Sequence, residues 1–180
     1  RILKENGQDD IWIIGKYEVE GAKNYIPNFT SRIPKYEIMK ELWEGIDKFV
    51  LLYGDCYYTD EIIKDIISNP NEKKWLHWTS QYGNQFTGKP YAEGYAHRIT
   101  DIPYWENKCN EFNAKLDSGE IDQNAFLLDW VFCRYLVGLD DIYNHNGELL
   151  KPNEVDWCDF TDDFDYPVDY DRFVERTGLK

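Results

Sequence analysis

A chain of 180 residues suits a single domain with a core of its own. Its 34 acidic side chains against 20 basic ones leave a formal charge of −14. That balance excludes a general binder of nucleic-acid backbones, which needs a basic surface. It does not exclude a nucleotide, because one metal ion or two basic side chains reverse the sign locally. No apolar run approaches the length of a membrane span, and no segment reads as a signal peptide. The four cysteines, Cys56, Cys109, Cys133 and Cys158, form no CxxC pair and have no His at zinc-ligand spacing. They read as free thiols of a reducing cytoplasm, with Cys133 in the core. Aromatic residues make up 17% of the chain; most of them belong to packing, and a Trp- and Tyr-rich surface would suit a homodimer.

The chain opens on Arg1-Ile-Leu-Lys-Glu-Asn-Gly7, which reads as the last turns of a helix closed by a glycine. The expectation is that a strand precedes it. Ile11–Ile14 then reads as a buried strand, residues 16–34 as an irregular connection, and Pro34–Gly45 as a short helix. Phe49–Tyr53 is an apolar run too short for a helix, hence a second buried strand, ending at Gly54-Asp55. Thr59-Asp60-Glu61 opens a helix with an acidic first turn, carrying Ile62, Ile63, Ile66 and Ile67 and stopped by Asn69-Pro70.

Trp75–Thr79 is a third strand, Gln81–Pro90 a polar loop, and Tyr91–Ile99 a strand by alternation. Thr100-Asp101 caps a helix with Pro103 in its first turn. Gln123–Val137 is a further apolar helix, Glu154–Cys158 a last short strand, and Pro167–Arg176 a terminal helix ended by Gly178. Strands alternating with helices predict an α/β fold: three layers, a mostly parallel sheet with helices on both faces. In such a sheet ligands sit beyond the carboxyl ends of the strands. Asp55 follows one strand; Asp163 and Asp165 follow the last. These carboxylates are expected to converge and hold a divalent cation against phosphate. Asp163 reads equally well as a helix cap; for Asp55 the site reading is preferred to that of a turn residue after Gly54. His77, His97 and His145 lie near no nucleophilic Ser and read as structural or surface groups. No GxGxxG follows any strand, which leaves a dinucleotide oxidoreductase unsupported.

Three patches carry a resemblance. Leu51-Leu-Tyr-Gly-Asp-Cys-Tyr-Tyr-Thr-Asp-Glu61, Thr87-Gly-Lys-Pro-Tyr-Ala-Glu93 and Asp163-Phe-Asp-Tyr-Pro-Val-Asp-Tyr170 occur in that order. Together they resemble nucleotidyltransferases of the sugar-phosphate and molybdopterin guanylyltransferase type. The third patch has Tyr166 and Val168 where those proteins have Thr and Glu. The resemblance implies a nucleotide-diphospho-sugar transferase (GT-A-like, Rossmannoid) fold over residues 1–180, missing its first strand and Gly-rich phosphate loop. It implies Mg²⁺ or Mn²⁺ on Asp55 and Asp165, with Asp163 as the competing ligand. It also implies transfer of a nucleotidyl group from an NTP to a sugar phosphate, or a similar phosphate, with release of pyrophosphate. Lys89 would contact phosphate, as would Arg98; Gly54, Thr87 and Gly88 would line the substrate site; Glu93 and Asp129 would bind sugar hydroxyls. Lys89 reads also as a solvated loop residue, and Arg98, Glu93 and Asp129 as structural or exposed ones. Two other functions fit the same patches: a GT-A glycosyltransferase using a nucleotide sugar, although Asp55-Cys-Tyr57 lacks a second Asp, and a non-catalytic binding or structural domain.

Overall fold

The computed structural model describes residues 1–26, 42, 44–80, 86–88, 93–125, 128–143 and 153–179, with only the backbone at 129. Most of the helix expected at 34–45 and the loop expected at 81–90 lie outside these residues. In chain order the elements are α1 (Ile2–Glu5), β1 (Trp12–Ile14), β2 (Lys23–Tyr25), β3 (Phe49–Leu52), β4 (Cys56–Tyr57), α2 (Asp60–Ser68), β5 (Trp75–Ser80), β6 (Glu93–Ile99), α3 (Ile102–Asp117), α4 (Leu128–Leu136), β7 (Glu154–Asp156), β8 (Asp162–Asp163) and α5 (Pro167–Thr177).

The expected three-layer, mostly parallel sheet does not form. Among the described residues the strands make three small sheets: β1 with β2, β4 with β8, and a mixed four-stranded sheet in the order β3-β6-β5-β7. β3–β6, β6–β5 and β4–β8 are antiparallel; β1–β2 and β5–β7 are parallel. The cause lies in the connection between β5 and β6. A parallel neighbour needs a crossover of a dozen or more residues, usually containing a helix. The twelve residues 81–92 that make this connection are mostly polar, with Gly83, Gly88 and Pro90, and their sequence lacks a sustained apolar pattern of helical period. β6 therefore returns antiparallel to β5 and separates it from β3. The fold is a small mixed α/β domain with short strands.

β5 is buried along its whole length and sends alternate side chains to two apolar clusters. On one side Leu76 and Trp78 meet Ile62, Ile63 and Ile66 of α2, together with Tyr95 and Ala96. The three isoleucines are at most 2% exposed. Each contributes roughly 1.5–3 kcal/mol by leaving water. Thr59 starts this helix, its Oγ1 accepting from the Ile62 amide at 3.3 Å. On the other side Trp75 and Ile99 pack with Trp105, Cys109, Phe112 and Leu116 of α3 and with Val131, Phe132, Cys133 and Leu136 of α4. α3 begins at Asp101, whose carboxylate accepts from the Tyr104 amide at 2.8 Å, and Pro103 lies in its first turn. Among the described residues no helix is long and apolar enough to cross a membrane.

Candidate functional site

The site grows from the exit of β3. β3, β5 and β7 run in one direction, so their carboxyl ends share one edge of the sheet. β6 runs the other way and brings its first residue, Glu93, to that edge, paired with Ser80 at the end of β5. Beyond Leu52 the chain keeps its pairing for one more step, with the Tyr53 amide donating to the Tyr95 carbonyl at 3.1 Å. It then turns through Gly54-Asp55 into β4. The Tyr58 hydroxyl ties this turn down, reaching the carbonyls of Tyr53 at 2.9 Å and Tyr95 at 2.5 Å. Burial raises the Tyr58 phenol pKa, which keeps it a donor.

β4 pairs with β8 so that Cys56 lies opposite Asp163, and the Phe164 amide donates to the Asp55 carbonyl at 3.0 Å. Two overlapping groups of ligand atoms result. In each, all the atoms lie within 4.8 Å of one another: Asp55, Cys56 and Asp163 in the first, Glu93, Asp163 and Asp165 in the second. The sequence expectation paired Asp55 with Asp165. In the structure the shared carboxylate is Asp163, buried, with Glu93 buried beside it and Asp55 and Asp165 exposed to solvent. The resemblance implies sugar hydroxyls for Glu93; it stands among the metal-competent carboxylates because it begins an antiparallel strand.

Cys56 is the group that sequence reasoning left out. Its thiol lies 3.8 Å from the Gly94 carbonyl and 3.9 Å from an Asp163 carboxylate oxygen. Burial first, and the charge of Asp163 second, push its pKa up, so it stays a neutral thiol that orients Asp163. The donors that this group offers a hard cation are then carboxylate oxygens, a set that suits Mg²⁺ or Mn²⁺.

The Thr87-Gly88 turn is fastened to the strand carrying Asp163. Asp162, with no exposed surface, accepts from the Thr87 amide at 2.9 Å and from its hydroxyl at 3.1 Å. Thr87 is thereby an anchor rather than an open substrate contact. Gly88 has φ +81°, and a Cβ there would come within 3.2 Å of the Arg176 guanidinium. Arg176 on α5 also donates to the Phe86 carbonyl at 2.9 Å. At Gly54 a Cβ would meet nothing within 4 Å, so close packing does not demand glycine there. Lys89 lies outside the described residues, as does the side chain of Asp129, whose backbone belongs to α4.

Arg98 is not at this site. It sits near the far end of β6, opposite Val50. Its guanidinium donates to the carbonyls of Ile66 at 3.4 Å, Asn69 at 2.8 Å and Asn71, closing the end of α2. A shallow depression of about 610 Å³ lies on that side, bordered by Lys48, Asn69, Asn71, Glu72 and Arg98. It holds none of the converging carboxylates, and its arginine is committed to backbone, so the chemistry belongs to the acidic edge. The chain matches no protein-family model, no curated protein and no solved structure.

Proposed function

We propose that the acidic edge binds Mg²⁺ or Mn²⁺ and, with it, the phosphates of a nucleoside triphosphate, and that the protein transfers the nucleotidyl group to a sugar phosphate or similar phosphate. The observation that carries this reading is the convergence of Asp55, Glu93, Asp163 and Asp165 beyond the carboxyl ends of β3 and β5. Four carboxylates at one edge repel phosphate unless a cation lies between them. A divalent ion there would offset charge on the phosphate oxygens and on the departing pyrophosphate. Asp163, the carboxylate common to both groups, is the principal ligand; Asp55 and Asp165 approach from the solvent side, and Glu93 closes the buried side. The Thr87-Gly88 turn, held by Asp162 and flanked by Arg176, brings a positive charge to the strand that carries Asp163. In the reaction an acceptor phosphate oxygen attacks the α-phosphorus, a new P–O bond forms, the bond to the β-phosphate oxygen breaks, and pyrophosphate leaves. Chemistry of this kind belongs to a site and not to one architecture.

Calorimetric titration with Mn²⁺ and each NTP tests the binding step, and pyrophosphate release in the presence of sugar phosphates tests the reaction. Metal-dependent NTP binding that disappears in Asp163→Asn and in Asp55→Ala supports the proposal. Equal NTP binding with and without metal, or binding that survives both substitutions, removes its basis. Binding without pyrophosphate release across an acceptor panel reduces it to a nucleotide-binding domain.

A further inference from the structure

On the other side of β5, away from the acidic edge, His77 and His97 face each other across the β5–β6 pair. Their rings stack with centroids 4.5 Å apart and an interplanar angle of 17°. Cys133 of α4 completes the group. One ligand atom from each of the three lies within 4.8 Å of the other two, and all three side chains are buried. His77 is the telling member: it is 1% exposed, and among the described residues neither Nδ1 nor Nε2 has a hydrogen-bond partner. A neutral imidazole carries one donor and one acceptor. Leaving both unsatisfied in a core costs on the order of 1–3 kcal/mol for each. Phe would fill this space without that penalty, so a structural role alone does not account for histidine.

We propose that His77, His97 and Cys133 form a buried site for a thiophilic transition-metal ion of the zinc type, separate from the acidic edge. Two imidazoles and one thiolate are a borderline-soft donor set that prefers Zn²⁺ or Co²⁺ over Mg²⁺. Tautomers and protonation states agree with this. Burial pulls the His77 pKa down to about 3, so its lone pair is available at neutral pH. The Trp75 indole donates to His97 Nδ1 at 3.0 Å, which makes Nδ1 the unprotonated nitrogen. The proton then sits on Nε2, 2.8 Å from the Tyr53 hydroxyl. A metal on Nδ1 takes the place of the indole proton, while the Nε2–H···Tyr53 bond holds the ring as an outer partner does in metal sites. Tetrahedral bonds of about 2.0–2.3 Å set ligand atoms roughly 3.3–3.8 Å apart. Closure thus requires a contraction of about 1 Å, supplied by turning the two rings out of their stack. Binding forms a metal–sulfur bond and releases the Cys133 thiol proton to solvent. Because all three side chains are buried, the ion enters as the chain folds.

The whole protein, unfolded with a chelator present and refolded against cobalt(II), provides the test. One cobalt per chain is expected, with tetrahedral ligand-field bands and a thiolate-to-cobalt charge-transfer band. Both bands should vanish in Cys133→Ser and His77→Phe. They should persist in Asp163→Asn, and in the triple variant Cys56→Ser, Cys109→Ser, Cys158→Ser, which retains only Cys133. The triple variant decides the matter even where Cys133→Ser does not fold. Refolding of the wild type without stoichiometric cobalt, bands that survive Cys133→Ser, or bands lost from the triple variant would each overturn the site. Loss of bands in Asp163→Asn would place the metal on the acidic edge instead.

Discussion

His77 makes the metal-free protein sensitive to acid, and the size of the effect follows from its surroundings. The ring stacks on His97 at 4.5 Å, lies nearly parallel to Trp75 at 6.1 Å, meets Trp130 edge-on at 5.3 Å, and among the described residues has no acceptor for a second proton. Burial lowers its pKa from the ordinary 6.5 to about 3. The unfolded chain therefore takes up a proton below about pH 6.5, and the folded chain does not until about pH 3. The stability contributed by this difference is complete above pH 6.5 and is lost as pH falls through that window. Each pH unit well inside it costs about 1.4 kcal/mol, so moving from neutral pH to about pH 4.5 removes roughly 2–3 kcal/mol through this one residue. Carboxylates and the other histidines titrate over the same range, and a comparison with His77→Phe cancels them. Urea unfolding, followed by tryptophan fluorescence with EDTA present, would be run on both proteins at about pH 7.5 and about pH 4.5. The wild type should lose roughly 2–3 kcal/mol more than His77→Phe between the two conditions. Equal losses, within about 0.5 kcal/mol, would mean that His77 gains a proton partner on acidification and is not the desolvated base described.

Three further outcomes follow from named contacts. Asp162→Ala removes acceptors for the Thr87 amide, the Thr87 hydroxyl and the Asp163 amide, the last at 2.9 Å, and strands buried donors. A loss of about 3–5 kcal/mol, on the order of 10 °C in Tm, is expected by scanning calorimetry; a loss under about 1 kcal/mol would contradict the anchoring role. Thr59→Ala deletes the α2 cap and the bond from Thr59 Oγ1 to Asp159, and should cost about 1–2 kcal/mol in the same measurement. Arg98→Met removes a guanidinium from three carbonyls at the end of α2 and should cost about 2–3 kcal/mol while metal-dependent NTP affinity stays unchanged. Weakened NTP binding with undiminished stability would return Arg98 to the phosphate role that the sequence suggested.

Elements with a strong local signature were legible in the sequence. The apolar run at Phe49, the Thr59 cap with its isoleucine stripe, the Asp101 cap with Pro103, and Pro167 with Gly178 bound β3, α2, α3 and α5 within a residue or two. β2, β4 and β8 were not legible, because strands of two or three residues are too short for a period-2 pattern. The meeting of Asp55 with Asp163 depends on the β4–β8 pair, so the sequence offered the carboxylates but not which of them is shared. The cross-strand pairing of His77 with His97 was hidden for the same kind of reason: it is a register between segments joined by a polar loop. No spacing rule along the chain reports such a register.

The direction of β6 is the point on which both the fold and the site turn. Alternation identified the strand at Tyr91–Ile99 but carries no information about which way it runs. Had β6 run parallel to β3, its carboxyl end would lie beside Asp55, and Arg98 would be one residue from that end, in reach of a phosphate. In the antiparallel arrangement the ends exchange. Glu93 arrives at the edge with Asp55, and Arg98 is carried five residues away, roughly 17 Å at the rise of an extended strand. Reversing one strand therefore replaces a cation with a carboxylate at the same place. A site built with Arg98 could meet phosphate directly; the one built with Glu93 cannot, and it gains its affinity for phosphate only through a divalent ion. For that reason metal dependence, rather than simple anion binding, is the property that most sharply tests the acidic edge.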